Sequence, residues 1–533
     1  MSLPIQSTLF SHSSIHKSKI LTCSKTTSSC MPILSRARLF PNVAPEFTQT
    51  PLSILDAAVV RFAPTAGVWL YAAALPTDQL TRSLKATMNS YPQWSGQLQW
   101  TACNSGGGHT QRYRRLMVVY GAPTDPGIDF IIASSSLELS SLVSAPVDGC
   151  LDVTDFPSAE FLDKTAVLAM HDAEEYAGLP CMIVQITTLT CGGIAIAIKL
   201  AHPLADAQSL LQFAHDWATV TRAMSTGGPI PALSPVFDPS LLDNAAAGDI
   251  DALHPNLHLV EVARALPMHH YDLWASTSGC PPFLAPATVV PHELGPDDVG
   301  PLGSPVPWEN WDFSAPVSHY LVDFTAEEVH AMWEEANDPG ISHLDALSAH
   351  IWSLIVRARG LEGEHHLDVT FGVRSRLQPP LPPSLLGSPL TLTSVTTTGN
   401  TSDHSLGDLA KSIRSSLKAF DPHALSALLH AMAFEASPQR HWVAFFGSRN
   451  TIVTSWLQLG VRDVDFGVGI PAYVEAVMPS VDGCVQVMEG GGRGSECRGS
   501  GRWYHGTVTV SLHLQTDVMQ KVLEDPALRM YRK

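Results

Sequence analysis

Apolar positions along the chain recur at two spacings, and the switch between them outlines its elements. Val59 to Ala74 is an almost continuous apolar stretch with aromatic and β-branched residues, which predicts a strand. Asp78 to Tyr91 carries Leu80, Leu84 and Met88 at helical spacing, with Asp78 as a candidate N-cap and Pro92 as a stop. Met182 to Leu189 and Ile194 to Leu200 are strand-like, and Cys191-Gly192-Gly193 between them predicts a hairpin. After Pro203, residues Ala207, Leu210, Leu211, Ala214, Trp217, Ala218 and Thr221 share one helical face, with Asp206 near its start. His202 therefore stands at a strand-to-helix turn, where side chains point out of a rigid sheet.

Periodicity weakens from Gly227 to Pro316, where Pro, Gly and Asp are frequent. This is a long connection that divides the chain. Beyond it, Phe324 to Asn337 and Ile341 to Arg359 read as helices, and Asp368 to Val373 as a strand. Arg374 to Pro383 reads as a proline-rich turn, Asp408 to Ala436 as mostly helical, and Ala444 to Phe466 as strand-rich. Gly490 to Gly501 is a glycine-rich loop. Val508, Val510, Leu512 and Leu514 then alternate with polar residues as a strand does, before a last helix through Leu523. Both halves mix strands and helices without a βαβ rhythm, so the expected fold class is α/β with mixed sheets. The expected division is a tail at 1–45, an N-terminal domain at 46–226, a crossover segment at 227–315 and a C-terminal domain at 316–533. Ordered structure is expected from about Pro51.

Composition narrows the function classes. At 533 residues the chain is long enough for two sizeable cores. Its formal charge of -18 disfavours a nucleic-acid or anionic-membrane surface. Nine scattered cysteines with no Cys-x-x-Cys pair fit reduced thiols better than a disulfide framework or a zinc site, and imply a cytoplasmic protein without a metal. No apolar run approaches the ~18 residues that span a bilayer. The first 30 residues hold thirteen Ser or Thr, and no acidic residue precedes Glu46. That composition is transit-like; a disordered tail, or initiation at Met31, is the simpler reading.

Two motifs bear on chemistry. The first is His202-Pro203-Leu204-Ala205-Asp206: a neutral imidazole at a cleft accepts a proton near neutral pH, and a nearby carboxylate fixes its tautomer or its loop. The pairs His269-His270 and His365-His366 lack a metal-like spacing and read as loop residues. The second motif is Asp463 to Pro471. Its Asp465-Phe466-Gly467 lacks the accompanying kinase loops, so it reads as a tight turn in which Asp465 bonds backbone amides while Gly467 and Gly469 take positive φ. No Gly-x-Ser-x-Gly elbow exists, which disfavours a serine hydrolase.

In this order, with Thr454-Ser455-Trp456 just upstream of the second, the two motifs make the chain resemble the BAHD acyltransferase family, in the style of its fungal branch. The resemblance extends from about Pro51 onward. It takes in Leu84 to Leu98, Ser342 to Trp352, and Arg374-Ser375-Arg376 before Pro379-Pro380-Leu381-Pro382. It implies two chloramphenicol-acetyltransferase-like domains, mixed sheets flanked by helices, with a channel between them. It further implies a monomer that uses acyl-CoA as co-substrate, holds no permanent cofactor or metal, and acylates a hydroxyl or amine of a small, secondary-metabolite acceptor. His202 is then the general base, Thr454 the oxyanion donor and Trp456 a pocket residue; Asp206, Asp465 and Gly467 are structural. Two departures stand out: Val468 replaces the usual Trp, and Leu386-Gly387-Ser388 stands where the family often has Phe-Gly-Asn. Neither is expected to touch the base. The alternatives are a condensation-like domain fed by carrier-protein thioesters, which Ala201 and Ala207 disfavour, and a non-catalytic binding protein on the same fold.

Overall fold

The computed structural model describes residues 32–532 except 105–106, 144–145, 165–172, 276–277, 283, 296–302, 399–403 and 492–501. The transit-like residues 1–30 and most of the glycine-rich loop lie outside the described residues.

Two large mixed sheets carry the molecule. The first runs Ile33–Leu39, Ile128–Ser134, Met182–Thr188, Ile194–Leu200, Thr65–Tyr71 and Tyr473–Ala476 in spatial order. Its one parallel pair is Ile128–Ser134 with Met182–Thr188. The second runs Leu390–Thr398, Glu364–Gly372, Asn450–Ser455, Cys484–Glu489, Val508–Gln515, Val317–Phe324 and Cys150–Asp152. Neither sheet belongs to one half of the chain. Tyr473–Ala476 crosses over to pair with Thr65–Tyr71, and Cys150–Asp152 crosses the other way to pair with Val317–Phe324.

Helices cover one face of each sheet. On the first, Leu80 and Leu84 from Thr77–Thr87 meet Leu210, Phe213 and Trp217 from Ala207–Ser225. On the second, Val329, Met332, Leu347, Trp352 and Ile413 come from Ala326–Ala336, His343–Arg359 and Leu406–Ala419. Each such side chain contributes about 1.5–3 kcal/mol on full burial. The opposite faces approach one another: Val68, Leu70, Ala197 and Tyr473 of the first sheet share a cluster with Leu321 of the second. The space between the sheets is where residues from both halves can meet.

The expected hairpin forms, with Thr188 opposite Ile194 and Gly192 at φ +83°. Four expectations need correction. Regular structure begins at Ile33, well before Pro51, because Ile33–Leu39 pairs along Ile128–Ser134 and Arg36 bonds Asp129 at 2.6 Å. The apolar run from Val59 is not all strand: it follows a short helix, Ile54–Ala58, opened by a Ser53/Asp56 capping box, and only Thr65–Tyr71 after Pro64 forms the strand. Asp78 lies within its helix, which starts at Thr77. The segment Asp408 to Ala436 is two helices, because Asp421 caps a new one whose first residue is Pro422.

Candidate active site

The strand Ile194–Leu200 ends two residues before His202, which sits on a single 3-10 turn, His202–Leu204. Asp206 follows as the N-cap of Ala207–Ser225, its Oδ1 accepting from the Ser209 amide at 2.9 Å. Buried strand, one turn and helix cap leave the His202 backbone little freedom.

The Asp206 carboxylate is engaged by Arg374. The guanidinium donates to Oδ2 at 2.5 Å and Oδ1 at 3.1 Å, and also to the Leu385 carbonyl at 3.0 Å. Both side chains are buried. The Asp206 amide donates to the Gly387 carbonyl at 2.9 Å, so the turn and the 385–388 segment are stitched together. Removing one partner of such a buried pair costs about 3–5 kcal/mol, because the other charge is left unpaired.

His202 itself is half-buried. Its Nδ1 lies 3.0 Å from Ser388 Oγ, whose hydroxyl also donates to the His202 carbonyl at 2.5 Å. The Ser388 amide donates to Asp56 Oδ1 at 2.6 Å, and Phe62 meets the imidazole edge-on at 5.5 Å. Burial holds the His202 pKa below its ordinary 6.5, against the charge of Asp206. The ring is thus neutral near pH 7, as a base must be.

Gly387 explains why this segment comes so close. Its φ is +120°, and a Cβ there would lie 2.8 Å from Asp56 Oδ1. Only glycine fits without displacing that carboxylate.

Thr454 lies on the strand Asn450–Ser455, paired beside Gln486, and is half-buried. Trp456, two residues on, is 4% exposed and packs in one cluster with Ala201, Leu204, Ala205 and Leu386.

The Asp465 turn forms as read: Oδ1 accepts from Gly467 at 2.7 Å and Gly469 at 2.9 Å, with Gly467 at φ +106° and Gly469 at +89°. Arg222, on the helix that Asp206 caps, donates to the Asp465 carbonyl. Phe466 packs edge-on against Trp217 at 4.9 Å and Tyr71 at 5.9 Å. Trp69 and Tyr71 donate to the Val461 and Val464 carbonyls at 2.9 and 2.7 Å. The box thus clamps the C-terminal half onto the first sheet just before Tyr473–Ala476 joins it.

The sequence profile of the Transferase family matches residues 32–261 and 325–528. The chain belongs to this family, as a BAHD acyltransferase. Acyltransferase AFT15-1 of Alternaria alternata is 27% identical over 488 residues, covering 87% of this chain and 90% of that protein. The crystal structure of vinorine synthase superposes with a TM-score of 0.59 at 19% identity, covering 92% of this chain and 96% of the other. That of F. sporotrichioides TRI101 complexed with coenzyme A and T-2 gives 0.57 at 16% identity, covering 90% and 97%.

Two further expectations about this acyltransferase give way. The Leu386-Gly387-Ser388 departure does touch the base, through Ser388. His365 and His366 are not loop residues but lie on Glu364–Gly372; His269, in a loop as expected, pairs with the buried Asp368 at 2.9 Å. Sequence reasoning also missed Phe62, Asp56 and the partner of Asp206. Arg374 stood inside a motif already singled out, and Ser388 inside the Leu386-Gly387-Ser388 departure; Asp56 carried no signal, lying 332 residues from Ser388. Among the described residues, no group of three or more His, Cys, Asp or Glu side chains is placed to hold a metal ion, and no helix is long and apolar enough to cross a membrane.

Proposed function

We propose that this acyltransferase moves an acyl group from a CoA thioester to a hydroxyl, or an amine, of a small secondary-metabolite acceptor, with His202 as general base. The observation that carries the reading is the half-buried imidazole on a rigid strand-end turn, its pKa lowered by burial, with Asp206 engaged by Arg374. Nε2 of His202 takes the acceptor proton as the oxygen attacks the thioester carbonyl. The Thr454 hydroxyl donates to the oxyanion that forms, and the proton then passes from His202 to the departing CoA thiolate. No covalent acyl-enzyme is needed, because holding both substrates together supplies up to roughly 7–11 kcal/mol. Asp206, Asp465 and Gly467 act on the scaffold, and Trp456 lines the substrate pocket. CoA as donor is supported by the fold shared with the CoA-bound TRI101; the secondary-metabolite acceptor is the family's expectation.

The test is a thiol-release assay on purified protein with acetyl-CoA, longer acyl-CoAs and a panel of alcohols and amines, with acylated products identified by mass. Thiol release that depends on an acceptor supports the reading. Transfer seen only from a carrier-protein thioester contradicts it.

A further inference from the structure

The hydrogen bonds around Ser388 determine where the single proton of the neutral His202 ring sits. A serine hydroxyl has one hydrogen and two lone pairs. A carbonyl oxygen only accepts, so at 2.5 Å from the His202 carbonyl the Ser388 hydrogen is committed there. Oγ can then meet Nδ1, 3.0 Å away, only as an acceptor. A bare Nδ1 would set two lone pairs against each other. The Nδ1 position must carry the proton, and Nε2 must be the lone pair.

Ser388 is itself held in place. Its amide donates to Asp56 Oδ1 at 2.6 Å, and the other oxygen of Asp56 accepts from the Ser53 hydroxyl at 2.6 Å and the Ser53 amide at 3.2 Å. The neighbouring Gly387 amide donates to Ser209 Oγ at 3.2 Å, and its carbonyl accepts from the Ser209 hydroxyl at 3.0 Å. Ser388 is wholly buried. A serine that reaches both the carbonyl and the ring of one histidine, and is anchored from the first helix, is a built device.

We propose that Ser388 is the positioning residue of this site: it holds His202 in the Nδ1–H tautomer, so that Nε2 is the base, and accepts from Nδ1–H while the ring is transiently cationic. The proton balance is closed. One proton enters at Nε2 from the acceptor and leaves from Nε2 to the CoA thiolate, while the other proton stays on Nδ1 throughout, hydrogen-bonded to Ser388 Oγ. This deepens the reading of His202 as base, and rests on it for the catalytic consequence alone.

The test uses the full chain labelled with ¹⁵N-histidine at a pH above neutrality, with His202→Gln to assign the His202 signals. The expected result is a protonated Nδ1 and a bare Nε2 in the wild type, and loss of that single tautomer in Ser388→Ala. Kinetically, Ser388→Ala lowers kcat by roughly tenfold or more, a part of the ~10²–10⁴-fold that general-base catalysis supplies, with KM little changed. Ser388→Thr, which keeps the hydroxyl, restores both readouts. A wild-type ring protonated at Nε2 overturns the proposal, and so does Ser388→Ala with wild-type tautomer and kcat. If Ser388→Ala does not fold, the wild-type spectrum decides. If the tautomer is as stated but no acyl acceptor is ever turned over, the positioning stands and the reaction assigned to the site falls.

Discussion

His202 and Asp206 are four residues apart, yet the structure gives them different work. Burial lowers the His202 pKa, so the imidazole stays unprotonated to a more acidic pH than an exposed histidine does. The acid limb of kcat/KM should accordingly lie below pH 6.5, with activity lost as pH falls through the lowered pKa; a pH–rate profile with a limb above 6.5 contradicts this. Asp206→Ala should leave the Arg374 guanidinium buried and unpaired, lowering unfolding free energy by about 3–5 kcal/mol in a denaturant titration. At this scale the sequence was readable where the chemistry is local. The strand end and the helix cap follow from the apolar pattern around residues 194 to 221. Ser388 does not, because its contact with His202 spans 186 residues and leaves no periodic trace.

Among the elements, the Asp465 turn does most to join the two halves. Its hydrogen bonds were legible, since an Asp followed by two spaced glycines has few other uses. Its destination was not: the strand that follows pairs with residues some 400 positions earlier, and nothing in Tyr473 to Ala476 names that partner. Asp465→Ala removes the acceptor for two amides, and Gly467→Val places a β-branched residue at φ +106°. Both should loosen the Val461 to Gly469 loop. Limited proteolysis should then cut there first, with the melting temperature lowered; an unchanged cleavage pattern in both variants argues against the clamp.

For the whole molecule, strand exchange means that neither half is complete. Without residues 316–533 the first sheet loses Tyr473–Ala476 and exposes the edge of Thr65–Tyr71; without the N-terminal half the second loses Cys150–Asp152. Fragments divided in the 227–315 segment should therefore fail to fold alone by circular dichroism and recover native signal when co-expressed. Two soluble, independently melting fragments would show that the exchanged strands are dispensable. The α/β class with mixed sheets was readable from the alternation of periodicities in both halves, whereas strand order in sheets this non-local was not.

The central claim is that His202 is the base for acyl transfer, and one comparison tests it most directly. Acceptor-dependent thiol release from acetyl-CoA or a longer acyl-CoA is measured for wild type and for His202→Ala with matched melting temperature. The account predicts that the variant loses roughly 10²–10⁴-fold in kcat. A folded His202→Ala protein with wild-type turnover would contradict it.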